Sequence, residues 1–313
     1  MPSFSHQPVL LKEVLEALRP RDGGRYVDGT TGGAGHAAAL LEASSPTGWL
    51  CGFDRDADAI EAARHTLKPY EGRYELCHAN FCEMDRWIEA GTCDGVLLDL
   101  GVSSHQLDEA QRGFSFQQEG PLDMRMDRRQ SRTAADLVNE ADEQELSRLF
   151  WEWGEEPQAR RMARALVRER QKHRLETTGQ LARCIERVAP RRGKKRHPAT
   201  RVFMALRMAI NDEVMSLKSG LAAACSRLRR GGRLAVITFH SVEDRVVKQF
   251  GTEHSRGYRV QGPVDLPDFR VPQPPPLRRV TRKPVTPSAE ELTLNARARS
   301  AKLRVLEVTG NPF

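Results

Sequence analysis

Two rhythms of apolar and polar residues divide this chain. Over roughly its first hundred positions, short unbroken apolar runs at 26–27, 48–53, 74–77 and 94–100 alternate with stretches whose apolar residues recur every three or four positions. Those stretches lie at 8–18, about 37–42, 56–67 and 84–90. The unbroken runs suit strands buried on both faces, and the periodic stretches suit the helices that cover them. The alternation predicts a doubly wound α/β sheet. From about 106 to 230 strand-like runs stop, and helical spacing follows at 134–138, 143–153, 158–173, 178–188 and 199–228. After Gly231-Gly232 the run Leu234-Ala235-Val236-Ile237 marks a return to strand. A helix is expected at 240–254, an irregular proline-rich surface segment at 262–287, and a last edge strand at 301–308. An all-helical domain at 106–230 is therefore expected to interrupt a sheet domain made of 1–105 and 231–313, entering between the fourth and fifth strands.

The first strand runs into Asp28-Gly-Thr-Thr-Gly-Gly-Ala-Gly-His36 and then an alanine-rich helix start. Glycines let the backbone approach a ligand closely, and a helix start offers unpaired N–H groups to a phosphate or carboxylate. Gly33-x-Gly35-x-x-Ala38 matches a dinucleotide-binding pattern, and Asp54 follows at the end of the next strand, where it can meet ribose hydroxyls. S-adenosylmethionine enzymes carry a similar loop, so the loop predicts a nucleotide-like cofactor without choosing between the two.

Composition narrows the class. Hydrophobic residues make up 39% and charged residues 29%, as in a globular protein, and no apolar run approaches the roughly 18 residues of a membrane span. The N-terminus lacks a basic-then-apolar signal, and the six cysteines form no C-x-x-C pair; both point to a reduced, cytoplasmic setting with no metal site. The net charge of +7 is unevenly spread. Residues 158–230 carry 20 Lys/Arg against 5 Asp/Glu, whereas the rest of the chain carries 29 against 37. An acidic body with one basic segment is the footprint of a polyanion-binding surface, and nucleic acid is the expected partner. Oligomeric state, monomer or homodimer, is not readable from the sequence.

Further strings complete a pattern. They are His6-Gln-Pro-Val-Leu-Leu11, Asp99-Leu-Gly-Val-Ser-Ser104 with Gln106-Leu-Asp108, Arg112-Gly-Phe-Ser-Phe116 and Gly120-Pro-Leu-Asp-Met-Arg-Met-Asp127. His197-Pro-Ala-Thr-Arg201, Phe239-His-Ser-Val-Glu-Asp-Arg245 and Asn295-Ala-Arg-Ala-Arg-Ser300 follow. With the glycine loop, and in this order, they make the chain resemble the ribosomal RNA small subunit methyltransferase H family nearly end to end. The resemblance implies a Rossmann-like S-adenosylmethionine methyltransferase sheet with an inserted helical substrate-binding domain. It implies methyl transfer from S-adenosyl-L-methionine to N4 of a cytidine in 16S ribosomal RNA, within the 30S subunit. It assigns cofactor contacts to Ala34, Gly35, His36, Asp54, Phe81, Asp99 and Gln106. Ala34 stands where a glycine is expected, which requires a negative φ there. His105 stands where the family often has proline, so the stiffness of that loop is not given by its sequence.

Chemistry then suggests roles. Cytosine N4 is a poor nucleophile, and an acceptor for its N–H groups stabilises the charge that develops on attack. Asp99, at the carboxyl end of the fourth strand, is the expected catalytic residue; the competing reading has it orient the cofactor's amino group. Asp99-Leu-Gly-Val lacks the Pro-Pro-aromatic element of other amino-methyltransferases, which argues against DNA and leaves Phe114, Phe116, Phe239 and His240 as candidates to stack on the base. His36 and His240 could be bases, but capping a helix start is the commoner role, and neither enters the catalytic set. Arg191, Arg192, Lys194, Lys195, Arg196 and Arg201 are expected to contact RNA phosphates. A nicotinamide oxidoreductase fits the glycine loop but leaves the basic insertion without purpose, and a non-catalytic RNA-binding protein leaves the Asp99 loop without one.

Overall fold

The computed structural model describes residues 8–190 and 197–310. The chain divides into two compact units, one of Met1–Gly101 with Val214–Phe313 and the other of Val102–Glu213.

The first unit opens with α1 (Leu11–Leu18), β1 (Arg25–Asp28), α2 (Gly35–Ala43), β2 (Trp49–Asp54), α3 (Ala57–Leu67), β3 (Tyr74–His78) and β4 (Cys93–Asp99). The second unit contains α4 (Ser104–Asp108), α5 (Ala134–Glu140), α6 (Glu143–Glu152), α7 (Ala159–Arg170), α8 (Thr178–Val188) and α9 (Ala199–Ile210). The chain returns through α10 (Glu213–Arg227), β5 (Leu228–Thr238) and α11 (Ser241–His254). It finishes with β6 (Tyr258–Val260), β7 (Arg270–Pro272), β8 (Leu277–Arg279), α12 (Ala289–Leu294) and β9 (Lys302–Val308).

Seven strands form one sheet in the order β3-β2-β1-β4-β5-β9-β8, while β6 and β7 pair as a separate antiparallel ribbon. Strands β1 to β5 are parallel, and β9 is antiparallel to both β5 and β8. This is a Rossmann-like sheet with the 3-2-1-4-5 order, reversing direction between β1 and β4. Successive residues of β4 serve opposite faces, as strand geometry requires. Leu97 packs with Val14 of α1, Leu40 and Leu41 of α2 and Leu67 of α3. Val96 and Leu98 pack with Leu217 and Leu221 of α10 and Val247 of α11. Helices on both faces explain why the strands read as unbroken apolar runs.

The helical unit is organised by its caps and one core. Thr133 and Thr177 close capping boxes with Asp136 and Gln180, and Asp142 caps α6 through Glu145 N. Leu137, Leu149, Phe150, Leu166, Ile185 and Leu206 meet in the core of this unit.

Four differences from the sequence reading have physical causes. The helix expected at 84–90 is a 3-10 stretch, Phe81–Arg86, started early by the Asn80 cap, and the chain beyond it is drawn toward β4 by bonds from Gly91 and Thr92 N–H to the Ser226 and Arg227 carbonyls. The periodic stretch 199–228 is broken at Asn211-Asp212. There the Asn211 amide donates to Met124 O and Arg207 O and accepts from Met126 N, and Asp212 turns to φ +47°. Residues 214–230 group with the sheet unit, not with the insertion, because α10 buries Leu217, Leu221, Ala224 and Cys225 against the sheet. Finally, β9 is interior: Leu277–Arg279, from the proline-rich segment, supplies the edge strand beyond it.

Candidate active site

The carboxyl ends of β1 and β4, adjacent in the sheet, carry Asp28 and Asp99. Between β1 and α2 the glycine loop is tied to three strands at once. Thr30 N donates to Asp28 Oδ1 (3.1 Å), and Thr30 Oγ1 accepts from Asp99 N (2.6 Å). Thr31 N and Oγ1 both donate to Phe53 O, at 2.9 and 3.1 Å. Gly29 lies against β4, where an added Cβ would come within 2.4 Å of Leu98 Cδ2. An added Cβ on Gly33 would meet nothing within 4 Å, so this part of the loop lines open space.

Ala34, the residue before α2, adopts φ +63° and not the negative φ expected from its sequence. Its N–H donates to Thr31 O (2.7 Å) and its methyl is fully buried. The turn and the methyl's burial offset a left-handed conformation that costs about 1–2 kcal/mol for a non-glycine residue. Gly35 and His36 then form the first turn of α2 and are held close to the N-terminal segment, since a Cβ on Gly35 would lie 2.5 Å from Pro8 Cγ.

Asp54 ends β2. Its Oδ2 accepts from Gly32 N and its Oδ1 from Asp56 N, both at 2.9 Å, so the carboxylate fixes the glycine loop from the side. Phe81 follows β3, and its ring lies so close to α10 that a Cβ on Gly220 would come within 2.2 Å of Cε2. Asn80, which caps this stretch, and Arg55 both donate to Ser216 Oγ of α10. These residues all belong to the sheet unit. Gln106 belongs to the helical unit, where it is buried and closes a capping box with Ser103, its Oε1 accepting Ser103 N at 3.0 Å. That box fixes the α4 turn although His105 is not a proline, and His105 itself is exposed.

The carboxyl groups of the edge are raised chiefly by burial. Burial pushes the Asp28 carboxyl up to about 7, with Asp54 adding to the effect. Burial, then Asp28 and Glu243, hold the Asp99 carboxyl well above its ordinary range. Burial also raises Asp54, against the hydrogen bonds from Asp56 and Gly32. His36 is 7% exposed, and burial lowers its imidazole to about 4, so it is neutral at pH 7. Its Nε2 lies 3.6 Å from Asp99 Oδ2, the Val9 backbone carbonyl against the ring partly offsets the lowering, and Asp99 Oδ1 is buried without a hydrogen-bond partner. Three raised carboxyls along one edge, Asp54 acting on Asp28 and Asp28 on Asp99, fit a ligand that carries positive charge and N–H or O–H donors.

The other sequence candidates separate. His240 caps α11: its side chain accepts Glu243 N, and Glu243 returns the bond to the His240 backbone. His36 caps nothing. Phe114 is buried in the core of the helical unit and Phe116 packs against that core, its ring tilted at 4.6 Å from His197 and 4.9 Å from Phe203, so packing accounts for both. Phe239, at the end of β5, lies 3.6 Å from where a Gly101 side chain would begin. Arg201 sits in the first turn of α9 with its guanidinium 3.7 Å from the buried Glu156 carboxylate. Arg191, Arg192, Lys194, Lys195 and Arg196 lie outside the described residues, as do His6 and Gln7. The basic stretch is also less bare than its local composition implies. Acids from outside it, Glu119, Asp136 and Glu143, pair with Arg183, Arg174 and Arg164.

Sequence reasoning gave no role to Thr30 and Glu243. Thr30 looked like one more loop residue, although a hydroxyl in a loop between buried strands has few partners other than backbone. Glu243 was legible as the fourth member of a His-x-x-Glu capping box, a variant of the usual Ser/Thr pattern.

Comparison with known proteins adds an independent line. Residues 3–309 match the MraW methylase family. A protein of Geobacter sulfurreducens, called ribosomal RNA small subunit methyltransferase H, is 51% identical over 310 residues, covering 97% of this chain and 99% of its own length. Proteins of the same name from Thermomicrobium roseum and Citrifermentans bemidjiense are each 49% identical, over 308 and 312 residues. They cover 97% and 98% of this chain and 94% and 99% of their own lengths.

Proposed function

We propose that this chain, which belongs to the MraW methylase family, transfers a methyl group from S-adenosyl-L-methionine to N4 of a cytidine in the 16S RNA of the small ribosomal subunit. At the coarser level, a small-subunit ribosomal RNA methyltransferase, the reading rests on relatives about half identical over nearly the whole chain. The choice of an exocyclic amine rests on one observation: the partly exposed Asp99 carboxyl at the carboxyl edge of the sheet.

The residues fit the cofactor. The open glycine loop and the first N–H groups of α2 suit its methionine carboxylate. Asp54 suits the ribose hydroxyls, and Phe81 offers an apolar wall for adenine. Bound there, S-adenosylmethionine supplies an electrophilic methyl on a sulfonium, so that formation of N–C and cleavage of C–S leave a neutral thioether and one surplus amine proton. The Asp99 carboxylate accepts an N–H of the target amine, stabilises the charge developing on N4 and takes that proton. Burial and the neighbouring carboxyls hold the ligand-free Asp99 carboxyl above its ordinary range. A cationic ligand beside it would lower it and favour the carboxylate. The basic helical unit, with Arg191, Arg192, Lys194, Lys195, Arg196 and Arg201, supplies sequence-independent phosphate contacts, with the choice of site left to RNA shape.

The test is incubation of methyl-labelled S-adenosylmethionine with 30S subunits and with naked 16S RNA, followed by nucleoside analysis. Label in N4-methylcytidine is expected. Label confined to a ring carbon, a ribose or another base would overturn the assignment to the amine.

A further inference from the structure

The reaction leaves two of the sequence strings without a role, one near each end of the chain: His6-Gln-Pro-Val-Leu-Leu11 and Asn295-Ala-Arg-Ala-Arg-Ser300. The described part of the first, from Pro8 onward, meets the short helix that leads into the second. Leu10 is fully buried and left-handed at φ 54°, and its N–H donates to Glu291 Oε1 of α12 at 2.8 Å, across 281 positions of sequence. A leucine holds that backbone only where its surroundings impose it. Glu291 is itself fixed. Ser288 Oγ caps α12 by accepting Glu291 N (3.1 Å), and Glu291 O accepts Asn295 N (2.7 Å). In the turn that follows, Ala298 is buried in the core that also contains Val9, Leu10 and Ala34.

The same N-terminal stretch lies against the head of α2. Pro8 Cγ fills the space a Gly35 side chain would take, and the Val9 carbonyl lies against the His36 ring. A chain of contacts therefore runs from Glu291 through Leu10, Val9 and Pro8 to the turn that would hold the methionine carboxylate, all within the sheet unit. We infer that Glu291 is a positioning residue for the cofactor. By fixing Leu10 N it holds Pro8 and Val9 against Gly35 and His36, and so keeps the first N–H groups of α2 aimed at S-adenosylmethionine. It acts through the backbone of residues 8–10, and the role needs an acceptor, not a charge.

This inference rests on the glycine loop being the cofactor site, and the experiment tells the two apart. Glu291→Ala is expected to speed hydrogen exchange at Leu10 N and at Ala38 N, which is bonded to Ala34 O at the head of α2. Calorimetric affinity for S-adenosylmethionine should weaken about 3–10-fold, the scale of one hydrogen bond's net contribution. With 30S substrate the cofactor KM should rise by the same factor while kcat at saturating cofactor stays native. Glu291→Gln keeps an acceptor and is expected to restore exchange, affinity and KM, and Glu290→Ala, at an exposed neighbour on the same helix, to change none of them. Pro8→Ala, which removes the ring beside Gly35 and leaves Glu291 in place, should weaken the cofactor to a similar degree. The two losses should not add in the double variant, because they break one chain of contacts. Native cofactor affinity in Glu291→Ala or in Pro8→Ala, a Gln variant as weak as Ala, or additive losses would overturn the positioning role. If exchange at Ala38 quickens in Glu291→Ala but the native chain shows no binding of S-adenosylmethionine, the brace stands and the reading of the loop fails.

Discussion

The hydroxyl of Thr30 accepts the backbone N–H of Asp99 at 2.6 Å, joining the loop after β1 to the last residue of β4. Through this bond the segment that would hold the cofactor and the carboxyl that would meet the substrate share one position. Thr30→Val keeps the shape and removes the acceptor, leaving Asp99 N unpaired. A loss of about 1–3 kcal/mol in urea unfolding is expected, with a weaker response of kcat in Thr30→Ser, which keeps the hydroxyl. A Val variant as stable and as active as Ser would show that the bond does neither job.

The buried Asp28 carboxyl, raised from 3.8 to about 7, sets a pH dependence whose sign can be worked out. Between these two values the folded chain holds a proton that the unfolded chain has lost. Stability therefore falls as pH rises from about 4 to 7 and stays lower above it. Asp28→Asn keeps an acceptor for Thr30 N and cannot ionise. The ligand-free variant should gain up to about 4 kcal/mol over the native protein at pH 8, three pKa units at 1.36 each, and little at pH 4. Urea midpoints at the two pH values measure it; an equal shift at both would assign the effect to packing.

Charge reversal at Arg191, Arg192, Lys194 and Lys195 should separate the two ligands. If each contacts a phosphate, the quadruple variant loses RNA affinity, and its log Kd against log salt slope falls by up to about 3. Calorimetric affinity for S-adenosylmethionine should stay at the native value. Equal losses for both ligands would mean the variant has damaged the fold.

How much of this could be read from the chain depends on whether the cause was local. The alternation of buried runs and amphipathic stretches gave the parallel sheet and the helical interruption, because each is written in the residues that form it. The end of the interruption was not, since α10 is helical like its predecessors and differs only in burying Leu217 and Leu221 against the sheet. Nor was the break at Asn211, whose amide is satisfied by Met124 and Met126, more than eighty residues earlier. Ala34 shows the limit of a propensity rule: the left-handed turn is held by Thr31 and by burial of the methyl, so the residue type gave the wrong sign of φ. At the site, Asp54 and Asp99 were legible as acids ending strands. The approach of His36 to Asp99 was not, because only the fold brings the two together.

The Phe81 wall depends on a glycine far away in sequence. A Cβ on Gly220 would lie 2.2 Å from Phe81 Cε2 and 2.4 Å from Cδ2, so Gly220→Ala must push the ring off α10. Overpacking of this kind costs about 1–3 kcal/mol, and unfolding of the ligand-free variant should show it. If the ring is the adenine wall, its displacement also weakens S-adenosylmethionine by about 3–10-fold, the worth of one aromatic contact at 0.5–1.5 kcal/mol. The double variant Gly220→Ala with Phe81→Leu makes room for the methyl and should regain stability without regaining affinity, because a branched aliphatic cannot stack on a base. Affinity that returns together with stability would place adenine against some other surface, and Phe81 would then be a spacer between β3 and α10.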